Sequence, residues 1–109
     1  MFLFMRSGLA AAVLMGAAAS ASAADGMTIA RGNACMGCHA VDRKLVGPSF
    51  QQIAEKYKGD AQAPAKLALK VKKGGAGVWG SIPMPSHPAM NDADVKTVVA
   101  WVLAGAPTK

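Results

Sequence analysis

Both cysteines of this 109-residue chain lie in one short segment, Cys35-Met36-Gly37-Cys38-His39. The spacing C-x-x-C-H is the signature of c-type haem attachment. Each cysteine adds to one haem vinyl group as a thioether, and the two intervening residues put the sulfurs at the spacing of the two vinyls. The histidine that follows can then bind the iron from one side. The segment therefore predicts one covalent haem c, attached through Cys35 and Cys38, with His39 as a metal ligand.

Two other kinds of site use the same residues. A bare C-x-x-C pair can be a dithiol redox site, but that site expects a βαβ pattern, and no alternating apolar run is long enough for a strand. A zinc site needs four ligands, which Cys35, Cys38, His39 and His87 could supply. Export before folding and the proline-rich surroundings of His87 argue against zinc. The sequence therefore favours haem over both alternatives.

The first residues have the pattern of an export signal. Arg6 comes before an apolar stretch, and Ala21-Ser22-Ala23 fits an A-x-A cleavage site. The stretch is too short and too small-sided for a comfortable membrane span, so an uncleaved anchor is the weaker interpretation. We expect residues 1–23 to be a cleaved signal peptide and 24–109 to be one folded domain in the periplasm, without stable membrane insertion. A hydrophobic core of that size gives only marginal folding stability by itself, and a covalently attached haem would stabilise it further.

Apolar spacing and capping residues predict an all-α fold of four to five short helices. The first covers Met27 to Arg31, and the second opens at Pro48-Ser49 and stops at Gly59-Asp60. Pro64 begins a third helix that Gly74-Gly75 closes, and Asn91 caps a last helix that ends at Gly105. Trp101 is expected at the edge of the buried stripe of the last helix. We expect the following apolar side chains to pack on the haem or between helices: Phe50, Ile53, Leu67, Val71, Val78, Ile82, Val98 and Val102.

Residues 74–90, named the axial loop below, form a proline-rich irregular segment that offers a second ligand to the iron. The candidates are Met84, His87 and Met90. Met84 stands between two prolines, in Ile82-Pro83-Met84-Pro85, so a stiff backbone can hold its weakly binding thioether in place. Met90 stands just before the cap of the last helix and is expected to pack in the core. Met84 is therefore the favoured ligand.

The chain resembles the small bacterial monohaem class I cytochromes c of the c-551 kind. The segments that carry the resemblance keep that family's order and spacing from about residue 25 to 104: Cys35-Met36-Gly37-Cys38-His39-Ala40, Val46-Gly47-Pro48-Ser49-Phe50, Gly77-Val78-Trp79-Gly80, Ile82-Pro83-Met84-Pro85 and Trp101-Val102-Leu103. The resemblance implies a cytochrome c fold wrapped around one haem, with Met84 as the second axial ligand. It implies that the Pro48 carbonyl accepts a hydrogen bond from His39, and that Trp79 donates its indole N–H to a haem propionate.

Two positions depart from the family pattern. Lys70 stands where an arginine commonly approaches the propionates, which keeps the charge and loses the bidentate fork. His87 stands where members often place an asparagine bonded near the methionine sulfur. His87 can donate in place of that amide, titrate and make the reduction potential depend on pH, or lie exposed in the loop, and the last interpretation is the favoured one.

The charge pattern bears on partners. The chain carries 12 basic and 6 acidic residues, and a group of lysines lies in its central part: Lys44, Lys56, Lys58, Lys66, Lys70, Lys72 and Lys73. Such a basic surface can steer the protein to acidic redox proteins, such as a nitrite reductase, a terminal oxidase or a dehydrogenase, or can simply be solvated. Val46, Gly47 and Pro85 are expected to leave a flat contact at the haem edge. Nucleic acid is excluded, since no basic run is interleaved with aromatics.

These observations predict an electron carrier that is not an enzyme, and the resemblance implies a monomer. The runner-up is a haem protein with an open or exchangeable sixth site, acting as a peroxidase or small-ligand sensor. Its sequence signature would include a second C-x-x-C-H, as in dihaem peroxidases, and the chain has only two cysteines. An exported dithiol oxidoreductase is the third hypothesis.

Overall fold

The computed structural model describes residues 23–108, and over that range the chain is all-α. Its helices are α1 Ala23–Gly32, α2 Phe50–Lys56, α3 Ala63–Lys73 and α4 Asp92–Leu103, with one 3-10 turn at Cys35–Gly37. Within those residues no strand forms, and β pairing is limited to two isolated bridges, His39 with Lys44 and Gly75 with Met84. The predicted fold class is confirmed. The predicted signal peptide lies, apart from Ala23, outside the described residues.

The helix ends follow local capping signals. The Ser49 side chain accepts from the Gln52 N–H at 3.0 Å, while the Gln52 side chain accepts from the Ser49 N–H at 2.8 Å, so a capping box starts α2. Asn91 caps α4 by accepting from the Asp94 N–H at 2.8 Å, as predicted. Pro64 is the second residue of α3 rather than the first.

The first helix is longer than the sequence pattern indicated. It begins at Ala23, four residues before Met27, and Gly32 is its last residue rather than a stop beyond its end. No apolar periodicity marks this extension, because its buried residue, Gly26, has no side chain.

α4 is the central helix of the core and packs against each of the other three. Its buried side chains are Val95, Val98, Val99, Trp101 and Val102. The placement of Trp101 at the edge of this stripe was wrong, since it is only 2% exposed. Phe50 meets it edge-on with ring centroids 5.3 Å apart, and its Nε1–H donates to the Pro107 carbonyl at 3.0 Å. Trp101 is therefore buried in the core, because Phe50 and Pro107 contact it on the sides that its own helix leaves open.

Two further observations concern the rest of the described chain. Met90 is buried at 7% exposure, as its predicted packing role requires. Within residues 23–108, no helix has both the length and the apolar character needed to cross a membrane.

Candidate functional site

A cavity of about 300 Å³ opens between α2, α3, α4 and the axial loop. Cys35, Cys38, His39 and Met84 all line it. Its walls are apolar side chains from three helices, among them Phe50, Ile53, Leu67, Val71, Val98 and Val102. The tertiary structure therefore brings the attachment segment and Met84, 45 residues apart when counted from His39, to one cavity. This is called the haem cavity below.

The attachment segment is folded into a tight turn that faces this cavity. The Cys35 carbonyl accepts from the Cys38 N–H at 3.2 Å and from the His39 N–H at 3.0 Å, which holds the two cysteines and the histidine on one short turn. Burial raises the pKa of the Cys35 thiol above its ordinary value, and a backbone hydrogen bond partly offsets that rise. Cys35 and Cys38 are not joined in a disulfide, so both sulfurs are available for thioether bonds.

The imidazole of His39 is held on several sides. Its Nδ1 lies 2.6 Å from the Pro48 carbonyl oxygen. Because a carbonyl only accepts, Nδ1 carries the proton and Nε2 keeps its lone pair for a metal. The Phe50 ring stacks on the imidazole with centroids 5.2 Å apart and 22° between the planes.

Gly47 is a site residue that sequence reasoning missed in this role. A Cβ added there would lie 2.7 Å from His39 Cε1 and 3.0 Å from Nδ1, so no side chain fits between this backbone and the imidazole. Its N–H donates to the Cys38 carbonyl at 2.8 Å. A glycine directly before a proline is the only local signal, and it does not identify a histidine contact.

Met84 is half-buried, and its backbone is fixed by pairing with the end of α3. Met84 and Gly75 exchange two backbone hydrogen bonds, of 2.9 and 3.0 Å. The flanking residues Pro83 and Pro85 restrict the backbone further. The thioether is therefore carried by a paired segment rather than by a free loop.

Trp79 and Lys70 both lie at the wall of the haem cavity. Trp79 is 46% exposed, and the Lys56 Nζ lies 5.5 Å from the centroid of its ring. Val78 and Ile82, expected to pack on the haem or between helices, both line the haem cavity, with 50% and 67% of their surface exposed in the protein alone. They belong to its rim, because they come from the axial loop and not from a helix that packs on α4.

The exposed position favoured for His87 was wrong. The side chain is half-buried, and its Nε2 lies 3.2 Å from the Asn33 carbonyl oxygen. Its backbone N–H donates to the Val71 carbonyl at 3.0 Å, while Nδ1 is buried without a hydrogen-bond partner. Over residues 23–108, no three side chains among His, Cys, Asp and Glu come together in a group that could hold a metal ion.

A second concavity has a volume of about 560 Å³. It lies between the α2–α3 connection and the end of α4, around Tyr57, Asp60 and Gly105. It contains neither cysteine and no methionine or histidine, so it has none of the groups that haem attachment needs.

The residues of the haem cavity fit haem c in their chemistry. Two free thiols are separated by two residues, the imidazole presents Nε2, and a neutral thioether lines the same apolar space. Cys35 and Cys38 would hold the group covalently and His39 would bind its iron.

Comparison with known proteins agrees with this assignment. The family model for cytochrome c matches residues 23–106. The chain is 52% identical over 69 residues to cytochrome c-551 of Azotobacter vinelandii, covering 63% of this chain and 83% of that protein. It is 42% identical over 87 residues to cytochrome c-551 of Pseudomonas aeruginosa, covering 80% and 83%.

A solved structure is similar as well. The crystal structure of wild-type Nitrosomonas europaea cytochrome c552 matches with a TM-score of 0.69 at 44% identity, covering 72% of this chain and 96% of that chain. The cofactor is one haem c, held through Cys35 and Cys38. The chain belongs to the cytochrome c family.

Proposed function

We propose that this protein is a periplasmic electron carrier whose haem iron is bound by His39 and Met84. The observation that carries the proposal is the convergence of these two side chains on one apolar cavity that both cysteines also line. When bound, the haem supplies a one-electron couple between Fe(II) and Fe(III). With His39 and Met84 both bound to it, the iron would have no site left for a substrate.

The surrounding residues set the properties of the two ligands. The Pro48 carbonyl, 2.6 Å from Nδ1, orients the His39 imidazole and makes Nε2 a better donor. The Met84 thioether favours the ferrous state and so raises the reduction potential. Phe50 and the α4 valines give the cavity apolar walls, which would exclude water around a bound haem and limit the solvent reorganisation that a change of charge demands.

Trp79 and Lys70 are proposed to bind the haem propionates. Both side chains lie at the cavity wall, where the indole N–H and the ammonium group can donate to carboxylates. Trp79→Phe keeps the ring and removes the donor, so we expect a changed reduction potential with the fold unchanged. An unchanged potential would argue against the propionate contact.

The alternative is an open or exchangeable sixth site, with peroxidase or sensor activity. Optical spectra and carbon monoxide binding of the mature protein, made with haem-c maturation, separate the two. We expect a low-spin ferric spectrum with the weak far-red band of a sulfur–iron bond, and no binding of carbon monoxide by the reduced protein. A high-spin wild-type spectrum would support the open site.

Two leucine variants assign the sulfur. Met84→Leu keeps the volume and removes the ligand, so the far-red band should disappear and carbon monoxide should bind. Met90→Leu is the matched control, because Met90 belongs to the same loop and is buried in the core but does not line the cavity. Loss of the band in Met90→Leu and not in Met84→Leu would overturn the ligand assignment.

We further propose that the partners are acidic redox proteins, such as a nitrite reductase, a terminal oxidase or a periplasmic dehydrogenase, and that the carrier is monomeric. Lys44 and Lys70 lie at the cavity, Lys56 contacts the Trp79 ring, and the chain has a formal charge of +6. Exposed Val46 and Pro85 offer uncharged contact area on the same face. Electron-transfer rates with such a partner should fall as ionic strength rises. Rates independent of salt would contradict electrostatic docking.

The periplasmic location rests on the sequence pattern of residues 1–23. Mass spectrometry of protein purified from a periplasmic fraction tests it directly. We expect a mature chain starting at Ala24, of the mass of residues 24–109 plus one haem. A membrane-bound protein with an intact leader would contradict it.

A further inference from the structure

The end of α3 runs directly into the segment that carries Met84. The Gly74 N–H donates to the Lys70 carbonyl at 2.7 Å and so closes α3. The next residue, Gly75, exchanges its two backbone hydrogen bonds with Met84. These hydrogen bonds therefore tie the position of Met84 along the cavity wall to α3, which itself packs on α4.

Gly74 lies closer to this segment than any side chain would permit. A Cβ added to Gly74 would be 2.3 Å from the Met84 carbonyl oxygen, 2.8 Å from the Ser86 nitrogen and 2.9 Å from the Pro85 carbonyl carbon. All three are backbone atoms, which cannot move aside as the end of a flexible side chain can. Gly74 also has φ 67° and ψ −159°, a conformation that is essentially confined to glycine.

We propose that Gly74 is a positioning residue for the axial methionine. The missing Cβ lets the end of α3 press against the Met84 backbone, and this contact sets how far the thioether enters the haem cavity. The inference rests on the proposed ligation of the iron by Met84. It predicts that a methyl group at position 74 weakens the sulfur–iron bond before it unfolds the protein, because the bulk is directed at Met84 and its neighbours.

Two other glycines provide matched controls. Gly105 directly follows the C-cap of α4 with φ 94°, and Gly59 lies three residues beyond the end of α2 with φ 80°, so each also has a positive φ that favours glycine. A Cβ added at either position would meet nothing within 4 Å. Gly59→Ala and Gly105→Ala therefore introduce backbone strain at a positive φ without contact with the Met84 segment.

The test is the affinity of the ferric holo-protein for added imidazole, which must displace the methionine sulfur to bind. For Gly74→Ala we expect imidazole affinity at least about tenfold above wild type, a factor that corresponds to about 1.4 kcal/mol, with a weakened far-red band. Both controls should stay within about twofold of wild type, a difference well below that threshold. Guanidine denaturation of the same variants measures how much folding stability the backbone strain costs, separately from the imidazole affinity. Equal imidazole affinities for Gly74→Ala and Gly59→Ala would overturn the proposal.

A wild-type measurement covers the case in which Gly74→Ala does not fold. If the contact positions Met84, its amide should be protected from hydrogen exchange by the Gly75 carbonyl, on the timescale of minutes to hours that reports local opening. Exchange of the Met84 amide at the rate of an unprotected loop would overturn the proposal. Met84→Leu separates the two levels. If Met84→Leu retains the wild-type far-red band and imidazole affinity, Met84 is not the ligand, and the positioning role of Gly74 fails with the ligation. If Met84→Leu loses the band while Gly74→Ala behaves as wild type, only the positioning role is overturned.

Discussion

Gly26→Ala tests how closely α1 and α4 must approach. A Cβ on Gly26 would lie 2.2 Å from Trp101 Cγ, 2.3 Å from Cβ and 2.7 Å from Cδ1. Trp101 has no room to yield, because its Nε1–H donates to the Pro107 carbonyl and its ring packs edge-on against Phe50. The methyl group must therefore push the two helices apart or expel the indole from its position.

The expected cost can be estimated from these contacts. Overpacking a well-packed core costs about 1–3 kcal/mol, and a contact as short as this one belongs at the upper end. Loss of the indole hydrogen bond adds about 1 kcal/mol. Replacing glycine by alanine inside a helix returns about 1 kcal/mol through its better propensity. The net change is a loss of about 3 kcal/mol, which lowers Tm by about 12–24 °C in a domain of this size.

Guanidine and thermal denaturation of the holo-protein, followed by circular dichroism, measure this change. Gly32→Ala is the matched control, because Gly32 belongs to the same helix and a Cβ there would meet nothing within 4 Å. That variant should be unchanged or gain up to about 1 kcal/mol. If Gly26→Ala unfolded at the same denaturant concentration as Gly32→Ala, the close packing of α1 on Trp101 would be refuted.

Three further predictions concern single contacts. Gly47→Ala should reorient the His39 imidazole, since its Cβ would lie 2.7 Å from Cε1, and electron paramagnetic resonance of the ferric protein should show altered g values. Ser49→Ala removes the hydroxyl that caps α2 and should lower the free energy of unfolding by about 1 kcal/mol in guanidine denaturation. The hydrogen bond from Lys66 lowers the pKa of Asp60 from its ordinary 3.8, so the ion pair stabilises the fold above that value and its contribution is lost as pH falls through the lower, folded-state pKa. An NMR titration should show the Asp60 pKa rising in Lys66→Ala.

Each of these has a control in the same chain. Gly37→Ala adds a Cβ in open space and should leave the g values unchanged, so equal spectra for Gly37→Ala and Gly47→Ala would contradict the imidazole contact. Ser86→Ala changes an exposed serine. If it lowered the free energy of unfolding as much as Ser49→Ala does, the capping role of Ser49 would be contradicted. Lys58→Ala removes a positive charge two residues from Asp60 in the sequence without removing the ion pair. It should leave the pKa of Asp60 unchanged.

The predictions that succeeded rest on signals local to the chain. Asn91 and Ser49 cap helices through bonds that span three residues, so their positions in the sequence are enough. Cys35 and Cys38 lie on one turn that closes within five residues, so their spacing alone was enough to predict the covalent haem. The apolar stripe of α4 is likewise a property of one segment.

The predictions that failed depend on where distant segments meet. Trp101 was expected at an edge because its own helix places it there, but Phe50 and Pro107 enclose it. His87 was expected in solvent because prolines surround it in sequence, yet it reaches the Asn33 carbonyl across 54 residues.

The cofactor and the helical class follow from the chain alone, because C-x-x-C-H chemistry and capping act between neighbours, and proline stiffness makes Met84 the favoured ligand in the same way. Which glycines lie too close to another segment for a side chain depends on the packing of distant segments. In the sequence, Gly26, Gly47 and Gly74 look like the other glycines of the chain. In the structure, another segment lies so close to each of them that an added Cβ would clash with it. Close approach is a property of two segments together, and no pattern within either one records it.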